Sequence, residues 1–445
     1  MLNISFSPRA KFGGVLQQRC MSRSTLPFTS PIIGPSKAIP CRQLMRRESY
    51  LYAYANRRRI HTALVPPIVF GSLVVTLWTW KCLMMILFQN KIIYMPGLPP
   101  NARRERIEDY KNQCGGVVWR EEKIKSLDGT RISLCIAGVE HGGNTLTNSP
   151  LKTVYILYFQ GNASSLPPRL PFLSPILRIL KQRAVASNHP IKYVLVCCSY
   201  RGYWTSNGRP SEKGIALDAL ASLQWIATQA TSSPTKPTPF IIWGQSIGAG
   251  VASALTSSFP ASLSKSLPLK ALILETPFLS IRAMLQTLYP QKWLPYRYLW
   301  PFLRNHLDAE KALGVMSERW GERGEKTPKV WILQAGRDEL VPAGHAERLE
   351  GRFREVGVGV ERRVIGGALH TEVLVRAEGA GRDELVPAGH AERLEGRFRE
   401  VGVGVERRVI GGALHTEVLV RAEGVRAVVE AVEEVAREGW EVEKG

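Results

Sequence analysis

Residues 240–255 read FIIWGQSIGAGVASAL, and they give the strongest indication of the fold. The first four residues form an apolar run typical of a buried strand, and residues 249–255 have the composition of a helix start. Between them, GQSIG at 244–248 fits the pattern G-x-S-x-G, whose glycines relieve crowding in a sharp strand-to-helix turn. The pattern predicts that the Ser246 hydroxyl stands exposed above the sheet edge. The alternative is a glycine-rich turn in which Ser246 is an ordinary helix cap.

Short apolar or β-branched runs alternate with helical stretches on both sides of this turn. This order predicts an α/β fold, with a mostly parallel sheet covered by helices on both faces. Asp128-Gly129, between residues 117–124 and 131–136, predicts a hairpin. The predicted strands are 154–159, 193–198, 240–243, 271–274 and 330–333, and the predicted helices are 211–230, 246–258, 342–356 and 425–438.

A serine hydroxyl is a weak nucleophile and needs a base, which in a site of this kind is a histidine late in the chain with an acid before it. Asp338 follows a predicted strand, and His370 follows the apolar run 360–365. We expect Asp338 to orient the imidazole of His370 and to stabilise its charged form. The alternatives are a turn residue at Asp338 and a helix cap at His370.

The chain contains an exact repeat, because residues 335–379 recur without change as residues 380–424. Solenoid repeats vary and come in several copies, so this pair indicates a recent duplication or an artefact of gene prediction. The second copy supplies Asp383, which lacks a preceding strand, and His415, which precedes the uninterrupted terminal helix. His370 is favoured because it needs no 45-residue excursion between acid and base. His415 remains the alternative base.

The loop after the predicted strand 154–159 reads QGN at 160–162. In this arrangement that loop donates one backbone N–H to a developing oxyanion, and the residue after the serine donates the other. Asn162 and Ile247 are therefore the candidate donors.

Residues 276–308, which we call the aromatic segment, contain seven Tyr, Trp and Phe residues between two predicted strands. A lid or the wall of an acyl pocket commonly occupies this place in the chain. Packing of plain helices on the core is the alternative.

The N-terminal residues are strongly basic. Residues 1–62 hold eleven Lys or Arg and one acid, about half of the net charge of +21. This composition indicates a targeting segment or a disordered arm, and no nucleic-acid groove. Residues 63–88 are apolar apart from Lys81, which predicts one transmembrane helix, with a buried core helix as the alternative. We expect a single-pass membrane protein of the mitochondrion or endoplasmic reticulum.

Cofactor motifs are missing from the sequence. No Walker loop, no G-x-G-x-x-G after a strand and no H-E-x-x-H occurs, so we expect no nucleotide and no metal. The seven cysteines are scattered without a C-x-x-C, which favours neither a zinc site nor a disulfide framework.

These motifs together resemble the α/β-hydrolase superfamily, and more closely its membrane-anchored members of the serine aminopeptidase-like branch. The resemblance covers about residues 85–445 and is carried by 89–94, 159–162, 200–212, 244–248 and 338–342. It implies a hydrolase domain over residues 89–445 that cleaves an acyl ester, thioester or lipid through an acyl-enzyme.

The sequence departs from the family pattern at two positions. The family usually has His where Gln160 stands and Asp where Ser199 stands. The first change affects the oxyanion loop, and the second removes a charge near Arg201. A catalytically inactive scaffold with the hydrolase fold is therefore the second hypothesis.

Overall fold

The computed structural model describes residues 41–140, 152–162, 165–186, 191–231, 237–365 and 422–441, with the backbone alone for 41–61, 422 and 438–441. The chain divides into two compact units, Met1–Leu73 and Val74–Gly445. All described residues of the first unit are helical.

The first helix, α1, spans Cys41–Leu87. The helix therefore begins well before residue 63, where the predicted span starts. The prediction placed the boundary where the composition changes after the arginines, and the backbone stays helical across that change. Its part Thr62–Leu87 has 26 residues and is long and apolar enough to cross a membrane. At about 1.5 Å per residue it measures roughly 39 Å, against about 30 Å for the hydrocarbon core of a bilayer. None of its most apolar window is buried, so this helix is not a core helix of the described structure.

Eight strands form one sheet in the part of the chain that the structure describes. They are β1 (Arg120–Lys125), β2 (Arg131–Glu140), β3 (Lys152–Phe159), β4 (Ile191–Ser199), β5 (Phe240–Gln245), β6 (Leu269–Glu275), β7 (Lys329–Ala335) and β8 (Val360–Ile365). Their order is β1-β2-β4-β3-β5-β6-β7-β8. The β1–β2 hairpin and the β2–β4 pair are antiparallel, and the other neighbours are parallel. The carboxyl ends of β3, β5, β7 and β8 therefore share one edge of the sheet.

Helices cover both faces of this sheet. One hydrophobic cluster joins the sheet to α5 (Glu212–Thr231), α6 (Ile247–Ser257), α8 (Ala309–Glu322) and α9 (Ala343–Glu355). The other joins it to α4 (Leu170–Ala186) and α10 (Ala422–Glu441). The short helices α2 (Gln89–Tyr94) and α3 (Ile107–Tyr110) precede the sheet, and α7 (Ile281–Leu288) follows β6.

The central strands are apolar without alternation because both of their faces are covered. In β3, Tyr155, Leu157 and Phe159 join the first cluster, while Ile156 and Tyr158 join the second. The mostly parallel sheet with helices on both faces is thus confirmed, as are the hairpin and the five predicted strands.

Among the helices that were not predicted, the two longest are α4 and α8. Pro175 interrupts the sequence of α4, and Gly314 and Gly321 lower the helix propensity of α8. Both helices bury an apolar face in the core, and tertiary packing of this kind overrides local propensity.

Candidate functional site

Ser246 lies in the turn between β5 and α6 with φ 50° and ψ −115°. A positive φ is uncommon for a residue with a side chain and persists only where the surroundings enforce it. Here the Ser246 N–H donates to the carbonyl of Glu275 (2.8 Å), and its carbonyl accepts from the Ala249 N–H (2.9 Å). All residues of α6 are described, and the Ser246 side chain makes no hydrogen bond that caps this helix. The helix-cap alternative requires such a bond.

The two motif glycines allow close approaches of the backbone. A Cβ on Gly244 would lie 2.2 Å from the carbonyl oxygen of Gly248, and one on Gly248 would lie 2.1 Å from that of Phe159. No side chain fits at these distances. The strand-to-helix turn therefore has the tight geometry that the motif predicted.

A buried polar network supports this turn from below. Tyr158 donates its hydroxyl to Gln245 Oε1 (3.2 Å), and Gln245 Nε2 donates to Glu275 Oε1 (2.8 Å). Burial raises the pKa of Tyr158, so its phenol keeps the proton that it donates. Sequence reasoning missed this network, because its members stand on three separate strands.

The candidate oxyanion donors lie beside the serine. Ile247 is the first residue of α6, so its N–H has no acceptor within the helix and lies at the positive end of the helix dipole. Asn162 lines the same cavity as Ser246 and Ile247, and its Nδ2 donates to the Ile93 carbonyl (3.1 Å). At the adjacent Gly161, a Cβ would lie 3.6 Å from the Ser246 Cβ.

Gln160, the departure from the family pattern, is 1% exposed. Its carbonyl accepts from the Tyr200 hydroxyl (2.8 Å). Among the described residues, no group bonds its side-chain Nε2 or Oε1.

Asp338 lies in the loop after β7. Its Oδ1 accepts from the N–H groups of Leu340 (2.9 Å) and Val341 (2.7 Å). Both of these residues line the cavity of Ser246. The structure therefore brings the loop of the candidate acid to the same cavity as the candidate nucleophile.

The candidate bases His370 and His415 lie outside the described residues, as does Asp383. In the chain, β8 ends at Ile365, five residues before His370. The C-terminal helix α10 begins at Ala422, seven residues after His415. The choice between the two histidines stays open.

A cavity of about 460 Å³ opens at Ser246, within the range of small-molecule sites. Its walls are mostly apolar and come from the end of α1 with α2, from the loops around Asn162 and Ser246, and from the aromatic segment. The aromatic segment supplies Phe278, Ile281, Met284, Leu285, Leu288, Tyr289, Leu299, Phe302 and Leu303. The aromatic segment thus lines the cavity. Its position in the chain alone could not decide between a pocket wall and plain helix packing.

Arg169 is the one residue with a full charge among the described residues that line the cavity. It is half-buried at the end of a short turn, Pro167–Arg169. No hydrogen bond or ion pair joins its guanidinium to another described residue. The sequence contains no signal for Arg169, because nothing in it distinguishes this residue from the other Lys and Arg residues, which number 59 in all.

Comparison with known proteins agrees with this architecture. A family model for the alpha/beta hydrolase fold matches residues 214–374. An uncharacterized protein of Mycobacterium tuberculosis is 31% identical over 261 residues, which cover 59% of this chain and 74% of that protein.

Two further proteins are similar to parts of the chain. The lysophosphatidylserine lipase ABHD12 of Danio rerio is 34% identical over 187 residues, 42% of this chain and 44% of the lipase. The chain thus spans less than half of that relative. The solved structure of an alpha-beta hydrolase from Vibrio vulnificus aligns with a TM-score of 0.45 at 18% identity, over 71% of this chain and 91% of that one.

Proposed function

Because the chain belongs to the α/β-hydrolase superfamily, we propose that it is a membrane-bound serine hydrolase that cleaves the acyl bond of a lipid. The observation that carries the proposal is that Ser246 stands in a tight turn and lines an apolar cavity. One wall of this cavity is the end of a helix long and apolar enough to cross a membrane.

The reaction assigns one task to each candidate residue. Ser246 attacks the acyl carbonyl while a histidine, His370 or the alternative His415, accepts its proton and passes it to the leaving alcohol. Asp338 orients that imidazole, and the N–H groups of Ile247 and Asn162 stabilise the oxyanion. Water then attacks the carbonyl of the acyl-enzyme while the same histidine takes up a proton from the water. The histidine passes this proton to Ser246 Oγ as the bond between Oγ and the acyl group breaks, and the fatty acid leaves.

The cavity supports an acyl lipid with an anionic head group as the substrate. Its apolar walls fit an acyl chain, and the guanidinium of Arg169 can pair with a phosphate or carboxylate. The relative from Danio rerio, a lysophosphatidylserine lipase, acts on a lipid of this class.

The test is hydrolysis of a monoacyl phosphatidylserine by the full chain in phospholipid nanodiscs. Ser246→Ala should lower kcat by at least about 10³-fold, since removing a nucleophile leaves only the contribution of binding and oxyanion stabilisation. The matched control is Ser253→Ala, which removes a buried hydroxyl from the same helix region, bonded to the Ala249 carbonyl (2.8 Å). It should stay within about threefold of the parent.

His370→Ala and His415→Ala, made singly, identify the base, and one of them should abolish turnover. If the folded parent hydrolyses no acyl ester at all, the inactive-scaffold hypothesis replaces the enzyme.

A further inference from the structure

The aromatic segment presents five large apolar side chains to solvent, which we call the aromatic surface. They are between 40% and 66% exposed and comprise Leu288, Trp293, Tyr298, Trp300 and Phe302. Five exposed large apolar side chains within residues 288–302 are unusual on a protein that meets only water, and they mark a surface for a partner or a membrane.

The aromatic segment is fixed to the last turns of α1 and to the first residue of α2. The rings of Trp78 and Trp293 lie 5.8 Å apart between centroids. Gln89 Nε2 donates to the Phe302 carbonyl (3.0 Å), and Arg304 Nη2 donates to the carbonyls of the last two residues of α1 (2.8 and 3.0 Å). The aromatic surface therefore sits at a defined height along this helix.

That height lies within a bilayer, if α1 crosses one as the proposed function requires. Trp78 stands nine residues before Leu87, so its partner Trp293 lies about 14 Å along the axis from the helix end. If the bilayer is centred on Thr62–Leu87, this part of α1, roughly 39 Å long, extends beyond a hydrocarbon core of about 30 Å by only about 5 Å at each end. Trp293 thus reaches past the head groups.

The charge of the aromatic segment fits a leaflet with anionic phosphates. Residues 276–308 contain four Lys or Arg and one acid, Asp308, which is the last residue of the segment. The Arg282 guanidinium stacks on Trp300 (4.0 Å), and Lys81 Nζ of α1 lies 4.3 Å from the centroid of Tyr296. Aromatic rings beside cationic side chains are typical of the interface between head groups and acyl chains.

We propose that the aromatic surface inserts into the leaflet at the C-terminal end of α1, so that the substrate enters the cavity from the bilayer. Leu288 and Phe302 belong both to this surface and to the lining of the cavity at Ser246. A lipid can move along them with its acyl chain shielded from water throughout. This inference rests on the membrane crossing by α1 in the proposed function.

A photo-crosslinking experiment tests the insertion without using activity. Trp293 is replaced by p-benzoylphenylalanine in the full chain, which is placed in vesicles that contain phosphatidylserine with alkyne-labelled acyl chains. The control position is Val185, which is 47% exposed at the end of α4, the helix that leads from the carboxyl end of β3 back to the start of β4. We expect lipid adducts at position 293 and not at 185. Equal labelling at both positions, or none at 293, overturns the proposal.

Kinetics then test the route. The double variant Trp293→Ser, Trp300→Ser changes two exposed residues that do not line the cavity. Hydrolysis of vesicle-borne lipid should fall at least about tenfold, while that of a soluble short-chain ester stays within about twofold; Val185→Ser should change neither. Unchanged lipid hydrolysis in the double variant contradicts the route. If the parent hydrolyses neither substrate while the crosslink forms, the hydrolase proposal fails, and the insertion of the aromatic surface into the leaflet is still supported.

Discussion

Gly248 illustrates how a single residue determines the geometry of the site. Its Cα faces the carbonyl of Phe159 so closely that a methyl group would overlap the oxygen, at 2.1 Å. The contact joins the start of α6 to the end of β3, which carries the oxyanion loop. Loss of this contact should separate the two candidate oxyanion donors.

We predict that Gly248→Ala destabilises the protein by about 3 kcal/mol or more, because the backbone must move to admit the methyl group. Gly314→Ala is the matched control, since a Cβ there meets nothing within 4 Å and the residue lies inside α8. It should stabilise the protein by about 0.5–1 kcal/mol. Thermal unfolding of both variants measures the difference, and an equally stable Gly248→Ala would contradict the tight approach.

Part of the site could be predicted at this scale. The spacing of Gly244, Ser246 and Gly248 indicates the turn because local sterics permit few other residues there. Glu275 and Arg169 could not be predicted, since their relation to Ser246 depends on how strands and loops distant in sequence come together.

At the scale of elements, a buried ion network joins the loop after β4 to α5 and to the β1–β2 turn. Arg201 bonds the fully buried Asp218 with Nη2 (2.8 Å) and the more exposed Asp128 with Nη1 (2.7 Å). The hydrogen bond from Arg201 lowers the pKa of Asp128 well below its ordinary value. Although Ser199 lacks the carboxylate of the family pattern, Arg201 is paired by two others.

Asp218→Asn should cost about 3–5 kcal/mol of stability, because it leaves a largely buried guanidinium without its buried counter-charge. Asp128→Asn should cost clearly less, since its carboxylate faces water. Chemical denaturation of the two variants decides the ranking. A larger loss from Asp128→Asn would mean that the network depends on the exposed pair.

His345 connects α9 to the aromatic segment. Its Nδ1 accepts from the Leu279 N–H (3.2 Å), and its Nε2 lies 3.2 Å from the Thr287 hydroxyl of α7. That hydroxyl donates to the Ala283 carbonyl (3.1 Å), so the neutral imidazole donates to it from Nε2. Burial lowers the pKa of His345 below 6.5, helped by Arg348 and opposed by Asp338.

The lowered pKa of His345 makes the stability of the fold depend on pH in a defined direction. A folded state with a lowered pKa binds fewer protons than the unfolded chain, so the contribution of His345 to stability is present above pH 6.5 and is lost as the pH falls. His345→Asn keeps an acceptor near the Leu279 N–H without a titrating ring. Between pH 7.5 and 5.5 the parent should lose more stability than this variant, as measured by urea unfolding. Parallel pH curves would rule out the linkage.

At the scale of the whole molecule, the duplication is the feature least explained by folding physics. The 45-residue insertion lengthens the connection between β8 and α10 from 11 to 56 residues (366–421), which for a flexible loop costs only about 1.4 kcal/mol in closure entropy and is tolerable. Since the copies are identical, deletion of either one gives the same chain.

We predict that deletion of residues 380–424 preserves hydrolysis within about threefold and does not lower stability, because one acid and one histidine remain in the order Ser, Asp, His. The same deletion combined with Ser246→Ala provides the inactive control. A folded but inactive deletion variant would show that both copies are needed.

The sheet was predictable for a physical reason, whereas the cavity was not. Apolar runs such as 154–159 identify buried strands because both faces of the sheet are covered, and their alternation with helices gives the parallel order. The cavity joins residues 85–95 to 278–303 through tertiary contacts such as Gln89 with Phe302, which no local pattern encodes. The candidate histidines are the remaining case, because an exact repeat offers two equivalent copies.

Covalent labelling of the folded full chain with a fluorophosphonate, followed by peptide mass spectrometry, tests most directly whether Ser246 is an activated nucleophile. We expect one adduct, on Ser246, which persists in Ser253→Ala and disappears in Ser246→Ala. No adduct in the folded parent, or an adduct on a different residue, would contradict it.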